Sequence, residues 1–223
     1  ILSLQFGVDA LRFFLLRTFP FGSDGNFTNE LLISTINVDL ANDLGNLLSR
    51  TTAMAGKYFG GTLPAGRQAD ALDEELLGMV SALRGKYEEH MEKYAFQNAL
   101  AEVFKVIQSA NKYIDETTPW ILAKNPETMP RLGTVLYNLL EAIRFAAIAL
   151  EPYLPDTSKR ILEQLNIGNG DALRDSLQPF DRDRADNAPI IFATKRDKTY
   201  NRRKYFAIDT DAQTFTTEPP RAW

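Results

Sequence analysis

The 223 residues contain no cysteine and a single histidine, His90. The first absence excludes disulfides, thiolate metal sites and cysteine nucleophiles. The second removes most histidine-based metal and acid–base constellations. His90 itself sits in Lys86-Tyr87-Glu88-Glu89-His90-Met91-Glu92-Lys93, a charged run expected on a solvated helix face. No Gly-x-Gly-x-x-Gly loop and no Walker-type phosphate loop occurs, and there is no internal repeat or low-complexity tract. No uninterrupted apolar run reaches the roughly 20 residues that cross a bilayer. The apolar start, Ile1 to Phe6, has no basic segment before it and is soon broken by Asp9 and Arg12. Asp73, Glu74 and Glu75 are most simply favourable charges in a helix's first turn. No catalytic residue and no metal site is therefore expected, which points to binding. The net charge of −4 means that any nucleic acid must be held by a local patch.

What is present is apolar, patterned and punctuated. Hydrophobic residues make up 44% of the chain, enough for a packed core. It opens on Ile1 rather than methionine, as a fragment of a longer protein would. Residues 7–17 form a short expected helix with Leu11, Phe14 and Leu15 on one side; residues 19–27 are a turn-rich connector. Thr28 is an N-cap for a long helix reaching about Tyr58, which Gly60 and Gly61 end. Leu40, Leu44, Leu47, Thr51, Met54 and Tyr58 make one buried stripe, and Asn42, Asn46 and Arg50 fall nearly opposite. After a linker at 62–71, helices are expected from Asp73 to Tyr94 and from Phe96 to Glu116. Pro119 ends the latter and pushes Thr118 toward an extended conformation. Residues 127–150 are apolar on most faces, as in a central bundle helix, and Asp156 caps a last helix to Leu165. Beyond Gly168, Ile190–Thr194 and Tyr205–Asp209 read as two strands of a hairpin.

Three features suit a ligand. Trp120 follows Pro119 at a helix break, where an indole either anchors helices or offers a face to an unstacked base. Asn46 and Arg50 lie one turn apart and can converge on one object; the plainer alternative is a polar face with Arg50 paired to an acidic neighbour. Lys195, Arg196, Lys198, Arg202, Arg203 and Lys204 are interleaved with Tyr200 and Tyr205, a mix that suits phosphates and bases or simply a solvated turn.

The segments Phe6 to Arg17, Phe21 to Thr28, Asn37 to Arg50 and Asn111 to Trp120 resemble, in this order, those of methionyl-tRNA synthetases, over roughly positions 5–167. The resemblance implies a mainly α fold: the anticodon-binding helix bundle of class Ia aminoacyl-tRNA synthetases, with a C-terminal extension expected to form a β-hairpin. It divides the chain into a connector that contacts the tRNA stem (1–27), the helical domain (28–167) and an extension (168–223). It implies that Trp120 stacks the first anticodon base, that Asn46 and Arg50 bind that base and its surroundings, and that Pro119 fixes the approach of the indole. Asn42 and the six basic residues at 195–204 become candidate RNA backbone contacts. The partners implied are the tRNA(Met) anticodon loop and the enzyme's own catalytic domain, in the cytoplasm and without a membrane. The family's His-x-Gly-His motif, Lys-Met-Ser-Lys-Ser loop and zinc knuckle are not in this chain. ATP, and zinc where present, would thus belong to the catalytic domain, and this chain alone would not attach methionine to tRNA. Two rivals stand beside this reading. One is a helical scaffold without RNA binding. The other is the anticodon-binding domain of another class Ia synthetase.

Overall fold

The computed structural model describes residues 6–64 and 66–165. The expected strands and the basic run at 195–204 lie outside them.

The first helix, α1 (Val8–Thr18), starts at Gly7, whose positive φ turns the chain into it. Phe13 and Phe14 are both fully buried, with Phe13 against the Phe104 ring at 5.6 Å. Leu15, expected inside, is exposed. Two adjacent phenylalanines rotate the buried face away from it.

Thr28 caps the next helix as expected, its Oγ1 accepting from Leu31 N at 3.1 Å. The long helix is continuous to Phe59, but it changes character on the way. It runs as α2 (Asn29–Thr35), a π-helical segment (Ile36–Gly45) and α3 (Asn46–Phe59). Leu40, Leu44, Leu47 and Thr51 are buried, while Met54 and Tyr58 are only half covered at the end of the stripe. Gly60 closes α3 in the left-handed conformation, and Gly61 N–H reaches back to Ala55 O at 3.1 Å. A residue with a side chain at Gly60 would be strained there.

Helices α4 (Asp73–Glu92) and α5 (Phe96–Thr117) form an antiparallel hairpin. The short α6 (Pro119–Leu122) and a 3-10 turn (Pro126–Thr128) lead into α7 (Met129–Leu150), which contacts α3, α4, α5 and the final helix α8 (Pro155–Gln164). Along α7, Leu132, Val135, Leu136, Leu139, Ile143 and Leu150 are fully buried. By length and composition, Pro126–Leu150 could cross a membrane; 78% of its most apolar window is instead buried inside the bundle. Its apolarity serves the core.

Two expected helix ends differ from the structure. Thr118 is left-handed (φ 43°, ψ 61°) rather than extended. Pro119 disfavours the right-handed helical region for the residue before it, and Thr118 avoids that region on the left-handed side, an unusual place for a β-branched residue. In the left-handed region Thr118 N–H still donates to Ile114 O at 3.1 Å, closing α5, and its carbonyl accepts from Ile121 N at 2.8 Å, opening α6. Asp156 does not cap α8, whose N-cap is Leu154. Asp9, delivered by α1, accepts from Thr157 N at 2.7 Å and takes over that function. Arg12 reinforces the contact by donating to Pro152 O at 2.6 Å.

Candidate nucleic-acid interface

The end of α5 sets the site. Thr117 is buried, with its hydroxyl donating to Tyr113 O at 2.6 Å. Thr118 then reverses the chain, and Pro119 is buried as the first residue of α6. Fixed φ at Pro119 and the hydrogen bonds around Thr118 hold this one-turn helix in one orientation. On it, Trp120 is 42% exposed and its neighbour Ile121 is also exposed. An aromatic ring held this way cannot be a buried helix anchor; part of its surface is available to a partner.

Arg50 reaches the same end of α5. Its Nη2 donates to Asp115 Oδ1 at 2.8 Å, with the two side chains 37% and 67% exposed. The acidic pairing anticipated for Arg50 is therefore real. A pair this open contributes about 0–1 kcal/mol. It leaves the guanidinium at the surface near the Trp120 turn, with donors to spare. Asn46, one turn earlier on α3, is half-buried, and Asn42 is exposed in the π-helical segment. The structure thus places Asn42, Asn46 and Arg50 along the helix that packs against α5, and Pro119 and Trp120 just past the end of α5.

The last two turns of α5 carry charges of both signs. Lys112 meets Glu75 at 3.1 Å and Glu116 at 3.5 Å, and these carboxylates raise its pKa. Among the described residues, no group of His, Asp and Glu side chains is placed to hold a metal ion.

One polar cluster escaped sequence reasoning. Asp73 opens α4 as expected, but it is 2% exposed. Arg131 of α7 donates to both its oxygens, at 2.6 and 2.8 Å, and Tyr113 OH donates at 2.6 Å. Asp70 N–H adds a fourth bond at 3.0 Å. Burial alone would raise the Asp73 pKa, but the Arg131 and Tyr113 bonds, the backbone bond and the Arg131 charge outweigh it, so the carboxyl lies below its usual value. Asn138 donates to Tyr113 OH at 3.3 Å, and Arg131 also donates to Gln68 O at 3.1 Å. The expected linker is thereby strapped onto α7, with Gln68 N donating to Thr134 Oγ1 at 2.6 Å and Arg67 over the Tyr137 ring at 4.0 Å. The available signal was an acidic residue at a helix start and an arginine in an otherwise apolar helix; nothing in the spacing joins them.

Residues 63–187 match the family model described as the anticodon binding domain of methionyl tRNA ligase, and residues 2–52 match that described as tRNA synthetases class I (M). The chain is 55% identical over 163 residues to the methionine-tRNA ligase of Caldanaerobacter subterraneus subsp. tengcongensis, covering 73% of this chain and 26% of that protein. It is 51% identical over 181 residues to the methionine-tRNA ligase of Clostridium tetani, covering 81% of this chain and 28% of that protein. Among solved structures, the free Mycobacterium tuberculosis methionyl-tRNA synthetase is similar with a TM-score of 0.76 at 32% identity, over 86% of this chain and 38% of that one. The same enzyme bound by methionyl-adenylate gives a TM-score of 0.73 at 33% identity, over 80% of this chain and 35% of that one. The chain spans about a quarter of the length of these curated relatives.

Proposed function

The chain belongs to the methionyl-tRNA ligase family, as its anticodon-binding domain, and on that premise we propose how it reads the anticodon. Trp120 stacks on the first anticodon base, a cytosine. Asn46 hydrogen-bonds the edge or sugar of that base, and Arg50 engages the base or a phosphate. Pro119 sets the angle of the indole, and Asn42 adds a contact to the RNA backbone. Lys195, Arg196, Lys198, Arg202, Arg203 and Lys204 supply positive charge along the same backbone.

The observation that carries this reading is the exposure of Trp120 on a proline-headed turn just past the end of α5, the end that Arg50 reaches through Asp115. Aromatic stacking is worth about 1–3 kcal/mol per base and needs only an accessible ring face. The amide and guanidinium supply direction, which stacking lacks. A scaffold that bound no RNA would have a use for a buried indole at this junction, and Trp120 is not buried.

Residues 1–27 serve as the connector toward the catalytic domain, 28–167 as the anticodon-binding domain proper and 168–223 as an extension. The whole enzyme attaches methionine to tRNA with ATP in the cytoplasm. ATP and methionine are handled by its catalytic domain, so this chain alone is inactive in aminoacylation. Any zinc also belongs there, since this chain offers no cysteine and one histidine.

The test is binding of an anticodon stem-loop carrying CAU against the same loop with its first base changed, at one fixed salt concentration. The wild type should prefer CAU. Trp120→Ala should weaken CAU binding by roughly 5- to 150-fold, the equivalent of the stacking energy. Equal binding of both loops by the wild type would defeat the assignment of base reading to Trp120, Asn46 and Arg50.

A further inference from the structure

Ten consecutive residues, Ile36–Gly45, form a π-helix immediately before Asn46 and Arg50. Such i→i+5 turns are rare, usually single, and frequent at functional sites. This one changes which residues face inward. Its buried positions are Ile36, Asp39, Leu40, Ala41, Leu44 and Gly45. An α-helical stripe through Leu40 and Leu47 would bring position 43 or 44 inside and leave Ala41 and Gly45 at its margin. The wider turn brings these two small residues into the core instead. It also delays the phase of everything that follows, so the direction of Asn46 and Arg50 depends on where the π-helix stops.

The stop is held from α5. Asp43 O accepts from Asn46 N–H, the first backbone amide of α3, and also from Asn111 Nδ2 at 3.0 Å. Asn111 Nδ2 shares its hydrogens with Ile107 O at 3.2 Å, which fixes the amide to its own helix. Gln108, one turn earlier on α5, donates to Asp43 Oδ2 at 2.9 Å. Two amides on α5 therefore grip the backbone and the side chain of one residue at the π-to-α junction. Farther up, Arg17 of α1 holds the buried Asp39 at 2.9 Å. Because α5 also ends in the Thr118–Trp120 turn, one helix carries both the grip and the indole.

We propose that Asn111 is a positioning residue for anticodon reading: by holding the Asp43 carbonyl it fixes where the π-helix ends, and so aims Asn46 and Arg50 at the base that lies on Trp120. This rests on the reading of Trp120, Asn46 and Arg50 given above. Asn111 itself need not touch RNA.

The test uses the whole chain, labelled with nitrogen-15. Backbone amide exchange is followed residue by residue, and binding of the CAU and first-base-changed stem-loops is measured on the same proteins. Asn111→Leu keeps the size and removes the donors. It should speed exchange over residues 42–47 by roughly tenfold, about what loss of one net hydrogen bond allows, with α7 unchanged. The CAU preference should shrink several-fold while binding to the changed loop stays as it was; a purely structural defect would weaken both loops alike. Asn111→Gln, which keeps an amide donor, should restore much of the preference. Unchanged exchange, or a loosened junction with full CAU preference, would overturn the proposal. If Asn111→Leu does not fold, Gln108→Leu at the exposed half of the grip is judged by the same two readouts. A wild type without CAU preference defeats the anticodon reading itself, while the exchange data still decide whether Asn111 holds the junction.

Discussion

Asp73–Arg131 and Arg50–Asp115 are both carboxylate–guanidinium pairs bridged to or beside α5, and they have opposite uses. The first is closed off from solvent, bonded twice between its own partners, and surrounded by Tyr113, Asn138 and the 62–71 strap. The second is open, bonded once, and sits at the end of α5 next to the Trp120 turn. Tyr113 and Asp115 are two residues apart on one helix, and this spacing places one in the core and the other at the surface. A buried charge that loses its partner cannot be rehydrated, so the first pair is committed to the fold. An exposed guanidinium can exchange its carboxylate for another anion at little cost, so the second remains available to a ligand.

The contrast breaks most visibly at Asp73. Asp73→Ala leaves Arg131 buried without its carboxylate and should destabilise the chain by about 3–5 kcal/mol in urea unfolding. A loss under 1 kcal/mol would mean that water reaches the cluster. Acid sharpens the same point. The folded pKa of Asp73 lies below its unfolded value, so its contribution is complete above the unfolded pKa and disappears as pH falls through the folded one. Unfolding free energy followed downward from pH 6 should fall steeply below about pH 4 in the wild type, and Asp73→Asn should flatten that slope. Asp39 has the opposite sign, since burial raises its pKa despite Arg17, and its contribution fades as pH rises through the folded value.

A smaller effect is expected where the strap meets α7. A Cβ at Gly133 would lie 2.7 Å from Pro64 Cγ, so Gly133→Ala must displace the strap and should cost about 1–3 kcal/mol by thermal unfolding. At Thr28, loss of the capping hydroxyl in Thr28→Ala should cost about 1 kcal/mol. The smallest change belongs to the open pair. Asp115→Ala should alter stability by less than about 1 kcal/mol. A loss as large as that of Asp73→Ala would erase the distinction between the two pairs.

Much of this was legible along the chain because the signals were local. The Thr28 cap, the left-handed Gly60, the apolar run of α7 and the halt before Pro119 each depend on a few neighbouring residues, and each appears where expected. Trp120 was legible as a candidate from its place after Pro119, and Asn46 and Arg50 from their one-turn spacing. Apart from the left-handed Thr118, misplaced features involve partners outside the local segment. Leu15 is exposed because Phe13, against Phe104 of α5, and Phe14, against Phe19 and Phe27 of the connector, claim the buried side of the helix. The cap of α8 comes from Asp9, on the far side of the sequence.

What the sequence determined by itself, then, is the set of helices, most of their ends and the residue types available at one junction, since helix caps, glycine and proline act through local backbone geometry. Tertiary structure decided three other things. It left Trp120 exposed, buried Asp73 with Arg131, and carried the chain from 36 to 45 as a π-helix gripped from α5. Each of these depends on contacts between residues far apart in the chain, and the free energy of such contacts exists only once the helices have packed.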